Sequence, residues 1–120
     1  MCKMIEGVQE SLYREDKMKR KMYATVRRYE GVPDPEDAAK QVQEKFVPFV
    51  SSLSGFVEYY WINLGEGAMM SITVFKTLAD AIDANNKAGV WVRENLRSVL
   101  PKKPRIEAGQ IVAHKGALLS

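Results

Sequence analysis

The sequence predicts one α+β domain whose elements run β-α-β-β-α-β. Three observations predict it: two helical periods, each opened by a capping signature; four strand-like runs set around them; and a glycine-bracketed turn that joins the middle two strands.

The first strand is the run Met22 to Tyr29, rich in aromatic and β-branched residues. It alternates, with Tyr23, Thr25, Arg27 and Tyr29 on one side and Met22, Ala24, Val26 and Arg28 on the other. Gly31, Pro33 and Pro35 close it. Asp34 as N-cap, Pro35 at the first helical position and acids at 36 and 37 then open a helix. Its apolar stripe is expected at Ala39, Val42, Phe46, Phe49, Val50 and Leu53, with Pro48 bending the helix or loosening its last turn and Ser54-Gly55 ending it.

Phe56 to Leu64 is the most strand-prone stretch of the chain, and Gly65-Glu66-Gly67 turns it into a third strand, Ala68 to Lys76. Thr77 with Asp80 three residues on marks the second helix, whose period runs to Leu100 and which Gly89 is expected to kink or split. Pro101 to Pro104 stop it. Ile106 to Lys115 reads as the fourth strand, with Gly109 a candidate bulge.

This order is the ferredoxin-like arrangement: an antiparallel four-stranded sheet with both helices on one face. The other face is left open. In the second strand Val57, Tyr59 and Trp61 lie on one side and Phe56, Tyr60, Ile62 and Leu64 on the other, with Glu58 the one charge among them. Neither side suits water, and covering exposed aromatic area at about 25 cal/mol per Å² favours association by several kcal/mol. A homodimer is expected, through a face the sequence does not choose.

A chain of 120 residues and 13.6 kDa suits a single domain and buries roughly two-thirds of the surface its unfolded form exposes. Residues 1–21 form a charged, helix-prone extension, with Ile5, Val8 and Leu12 at helical spacing, and 22–120 form the domain. The extension could pack on the domain or serve as a basic arm that docks a partner. No run approaches the length of a membrane span, and early acids at Glu6 and Glu10 break up any signal peptide. With Cys2 the one cysteine, no internal disulfide can form, and a cytoplasmic location is expected.

The net charge is +3. Two small basic groups carry the excess, Lys17 to Lys21 and Lys102, Lys103 and Arg105, and neither is the broad face that nucleic acid requires. No nucleic-acid partner is expected. Cys2 and His114 have no neighbour at ligand spacing, so no metal site is predicted, and no glycine-rich nucleotide fingerprint or nucleophile elbow is present.

Tyr23 to Glu30, the segment from Pro48 to Phe56, Ser71 to Phe75 and Trp91 to Leu96 together resemble the antibiotic-biosynthesis-monooxygenase-like superfamily over about residues 22–115. The resemblance implies a dimeric α+β barrel. It also implies a cofactor-free oxygenase, or a non-catalytic binding or stress-response module, that holds a small aromatic or quinone-like molecule between sheet and helices. Haem-degrading relatives place a histidine on the second helix. This sequence has Asn85, Asn86 and Trp91 there but no histidine, so no haem or other cofactor is expected.

The residue types that such a site uses are offered by Tyr23, Arg27, Tyr60, Trp61, Asn63 and Trp91, and Arg27 is the candidate for stabilising a phenolate. His114, the one histidine, is the remaining candidate as base or ligand contact. Tyr23, Arg27, Tyr60, Trp91 and His114 are thus the expected ligand-binding residues, with no catalytic residue assigned. Against this, buried Tyr and Trp serve most often as core, and Arg27 and Arg28 have Glu30 and Glu58 as candidate ion-pair partners.

Overall fold

The computed structural model describes residues 22–116, so the extension at 1–21 and its expected roles lie outside the described residues. The elements are β1 (Met22–Tyr29), a helix α1 over 35–51, β2 (Phe56–Gly65), β3 (Ala68–Phe75), α2 (Leu78–Asn95) and β4 (Arg105–Ile111). The strands lie in the order β2-β3-β1-β4, every neighbour antiparallel. This is the ferredoxin-like α+β arrangement the sequence predicts.

Alternation along β1 assigns its faces. Tyr23, Thr25, Arg27 and Tyr29 stand opposite Phe75, Thr73, Ser71 and Met69 of β3 and point toward the helices. Val26 and Arg28, opposite Ile72 and Met70, form the other face. In β2 a register shift between Phe56 and Glu58 sets Tyr59 and Trp61 opposite Thr73 and Ser71, on the helix side, and turns Tyr60 and Ile62 outward. The Tyr59 and Trp61 face is therefore core, and the open face is that of Tyr60 and Ile62.

The first helix departs from the expected period. Its buried residues are Ala38, Val42, Phe46 and Val50, each four apart, and in a plain α-helix such steps drift about 40° each around the axis. A π-helical turn at Val42–Phe46, between α-helical Pro35–Gln41 and Val47–Ser51, takes up that drift. Pro48 supplies the reason: it has no N–H for the carbonyl four residues back, and its ring crowds that carbonyl, so the ladder widens just before it. Ala38 rather than Ala39 heads the buried stripe.

Helix α2 starts where expected, with Thr77 Oγ1 accepting from the Asp80 N–H at 3.0 Å, and runs unbroken through Gly89. Ala81, Ala84 and Ala88 let it lie close to the sheet. It stops at Asn95, short of Leu100, where Leu96 leaves helical geometry with φ of −123°. Leu96, Val99 and Leu100 still bury, in a turn closed by the Val99 and Leu100 N–H groups on the Leu96 carbonyl.

The fourth strand is shorter than expected. β1 ends its pairing at Met22 opposite Ile111, so residues beyond have no ladder partner among the described ones, and Val112 is 87 % exposed. Gly109 pairs with Ala24 in unbroken register rather than forming a bulge. The second irregularity lies at Asn63 to Gly65, where Asn63 Oδ1 accepts from the Gly65 N–H at 2.9 Å. Glu66 and Gly67 follow with φ of 55° and 79°, the left-handed pair a tight hairpin requires.

Candidate functional site

At the centre of the helix-facing sheet surface stands Arg27, only 6 % exposed. Its Nη2 donates to Asn85 Oδ1 at 2.6 Å and to the Asn85 backbone oxygen at 2.9 Å. A buried cation ordinarily has a carboxylate beside it. Arg27 has none within 4 Å among the described residues: Glu30 pairs instead with Arg28 at 2.6 Å, and Glu58 accepts from the Tyr60 hydroxyl at 2.8 Å. The expected pairing holds for Arg28 and not for Arg27.

Around Arg27 the lining is apolar with a few polar tips. Tyr29, Tyr59, Trp61, Ser71 and Thr25 share the space between sheet and helices with Phe46, Val92 and Leu100. Two polar atoms there, Thr25 Oγ1 and Trp61 Nε1, are buried without a hydrogen-bond partner among the described residues. Burial raises the phenol of Tyr29 above its ordinary value, and the charge of Arg27 pulls the other way without cancelling the effect. Tyr59 is raised far more strongly by burial, with the neighbouring Tyr29 adding to it. Both are neutral phenols at physiological pH, able to donate a hydrogen bond and unable to accept a proton.

The gap itself is tight, with a free volume of about 20 Å³, room for a single water-sized group. A second space of about 410 Å³ opens beside it and shares Arg27, Tyr29, Val92 and Leu100 as its inner wall. That volume falls in the range of small-molecule sites. Arg93, Arg97, Lys102 and Lys103 complete its wall with Pro101, Pro104 and Ile106.

The other expected site residues are dispersed. Tyr23 lines a separate cleft of about 180 Å³ on the far side of Asn85, with Ile82 and Asn86. Trp91 stacks on Phe49 with ring centres 5.2 Å apart and tilts against Phe46, which makes it a packing contact between α1 and α2. Tyr60 lies on the open face of the sheet, 49 % exposed. His114 is exposed beyond the end of β4. Sequence reasoning missed Tyr29 and the pairing role of Asn85. Tyr29 was legible, sitting two residues from Arg27 on the same strand face, whereas nothing local marks Asn85 as the partner of Arg27.

No family model matches the sequence, and no curated protein matches it. Solved structures do. A Nitrosomonas europaea protein with the provisional name of antibiotic biosynthesis monooxygenase superposes with a TM-score of 0.63 at 14% identity, covering 79% of this chain and 94% of its own. The fold is that of the antibiotic biosynthesis monooxygenases. SnoaB, a cofactor-independent oxygenase from Streptomyces nogalater, matches with a TM-score of 0.53 at 16% identity over 80% of this chain and 95% of its own. The ActVA-Orf6 monooxygenase of Streptomyces coelicolor, in complex with nanaomycin D, matches with a TM-score of 0.60 at 11% identity over 86% and 96%. Within this fold no group of three or more His, Cys, Asp or Glu side chains gathers at one point among the described residues, and no helix among them is long and apolar enough to cross a membrane.

Proposed function

We propose that this chain binds a small hydroxylated aromatic or quinone-like molecule, with an acidic ring oxygen held by Arg27 and the ring in the adjoining cavity. The observation that carries the reading is the buried guanidinium whose partner is a neutral amide. A phenolate or enolate oxygen arriving beside it supplies the missing anion in a setting of low dielectric, where such a contact is strongest. Tyr29, held neutral, is placed on the same wall as a second donor.

Turnover by the route of a cofactor-independent oxygenase uses the substrate as its own reductant. A ring CH₂ activated by neighbouring phenol and carbonyl groups loses a proton, and the carbanion so formed reduces dioxygen. One oxygen atom enters as the new carbonyl, and the other leaves as water with the two hydrogens. Among the described residues the cavity is lined by no carboxylate or imidazole; the proton is passed to water, and Arg27 contributes by lowering the energy of the anion. The tightness of the inner gap favours a second reading, a non-catalytic binding module of the same fold.

Quenching of tryptophan fluorescence by aloe-emodin, a dihydroxyanthraquinone, tests the binding. Wild type is expected to bind and Arg27→Ala to bind at least about tenfold more weakly, the scale of a lost charged hydrogen bond; no binding by wild type would sink the reading. Oxygen uptake with the corresponding anthrone separates the two versions. Uptake above the spontaneous rate supports the oxygenase, and binding without it supports the module.

The reading includes a homodimer formed through the open sheet face. Tyr60 and Ile62 of β2 are exposed there beside half-buried Met70 and Ile72 of β3, an apolar set that water does not favour.

A further inference from the structure

The cavity beside Arg27 has a charge pattern that ring binding alone does not require. Its wall holds Arg93 from the last turn of α2, Arg97 just beyond that helix and Lys102 and Lys103 from the loop that follows, with no acidic residue in the lining among the described residues. None of these four has a carboxylate within 4 Å among the described residues. Arg93 near the helix C-terminus has a local explanation in the helix dipole. The lysines do not, because they arrive on a separate segment between α2 and β4 that proline at 101 and 104 keeps out of helix. Lys102 lies over Gly31, whose φ of 63° and missing side chain leave space for the end of the lysine: a Cβ there would come within 2.9 Å of Cε and 3.0 Å of Nζ.

Convergence of like charges is unfavourable in the empty protein and is offset when an anion enters. Arg105, the next cation along the chain, turns to the opposite sheet face and meets Glu107 at 3.5 Å. The cations at 102 and 103, in the loop before β4, line the cavity, whereas the solvated, paired one lines the opposite sheet face. Beneath them the surface is apolar, formed by Val92, Leu100 and Ile106.

Resting on the reading of Arg27 above, we infer that the ligand carries a second anionic group, a carboxylate on the rim of its aromatic body, held by Arg97, Lys102 and Lys103 while the ring oxygen meets Arg27. The substrate class is then a hydroxyaromatic carboxylic acid rather than a neutral quinone. Arg97 and Lys103 act as specificity determinants. The guanidinium is suited to a two-point carboxylate contact and the lysines to a diffuse positive field.

Two ligands that differ at one group test this by fluorescence titration: rhein, a dihydroxyanthraquinone carboxylate, and aloe-emodin, which has a hydroxymethyl group in its place. Wild type is expected to bind rhein about tenfold more tightly or better, with an advantage that shrinks as salt is raised, as several exposed ion contacts together would give. The double variant Arg97→Glu with Lys103→Glu is expected to bring rhein to the affinity of aloe-emodin or below. Equal affinities in wild type, or a preference that survives the double variant, would overturn the inference while leaving ring binding intact. Failure of both ligands to bind would overturn ring binding and the inference with it.

Discussion

Nη2 of Arg27 lies 2.6 Å from Oδ1 of Asn85 and 2.9 Å from its backbone oxygen, so the guanidinium of β1 is pinned to the middle of α2 by a neutral side chain. An amide fixes the direction of the guanidinium without cancelling its charge. A carboxylate in the same place would do both. Asn85→Asp, nearly identical in shape, is therefore expected to leave stability within about 1 kcal/mol of wild type, since the gain in attraction is set against the cost of burying a second charge. Affinity for aloe-emodin should fall about tenfold. Unchanged affinity in a fluorescence titration would show that the charge of Arg27 is not what the ligand meets.

Thr25 contributes a hydroxyl that is buried without a partner among the described residues. Replacing it with valine keeps the shape, suits a β-strand and removes a desolvated polar atom. Urea unfolding of Thr25→Val is expected to show stability equal to wild type or higher by about 1 kcal/mol. A loss of that size instead would mean that the hydroxyl has a partner when the protein is in water.

The open sheet face bears on assembly. Ile62 is 36 % exposed on that face, so a carboxylate there is tolerable in a monomer and is buried unpaired in a dimer. Sedimentation of wild type is expected to give twice the chain mass, and Ile62→Asp to give a monomer with an unchanged circular dichroism spectrum. A variant that remains dimeric places the interface elsewhere.

Tyr29 and Tyr59 have phenols raised above their ordinary value of 10.0 by burial. The folded state then holds protons that the unfolded chain releases, so this contribution to stability is complete below pH 10 and is lost as pH rises beyond it. Phenolate absorbance of these two should appear together with unfolding rather than before it. In Tyr59→Phe the alkaline fall in stability should be shallower than in wild type; an identical slope would place the titration on other groups.

Much of the scaffold was legible because its signals are local. The Asp34-Pro35 and Thr77 caps act within one helical turn, the faces of β1 follow from a period of two, and the left-handed turn at Glu66-Gly67 follows from the glycines around it. The π-turn before Pro48 was not legible as such: a proline announces a disturbed ladder but leaves open whether the helix bends or widens. The early end of α2 was hidden by an apolar period that continues through Leu96, Val99 and Leu100, residues that bury in a turn instead.

The site divides in the same way. Arg27 could be singled out from the strand on which it lies, but its neighbours come from segments far along the chain: Asn85 from α2, the lysines at 102 and 103 from the loop before β4. Tyr60 and Trp91 are of the right residue type, yet one faces away and the other packs helix on helix. By itself the sequence determined the order of elements, their starting points and the alternation of each strand, since these depend on the backbone and on side chains a few residues apart. The tertiary structure decided which face the helices cover, which cation is left without an acid among the described residues and where space for a ligand opens, because those depend on which distant side chains the crossovers bring within contact.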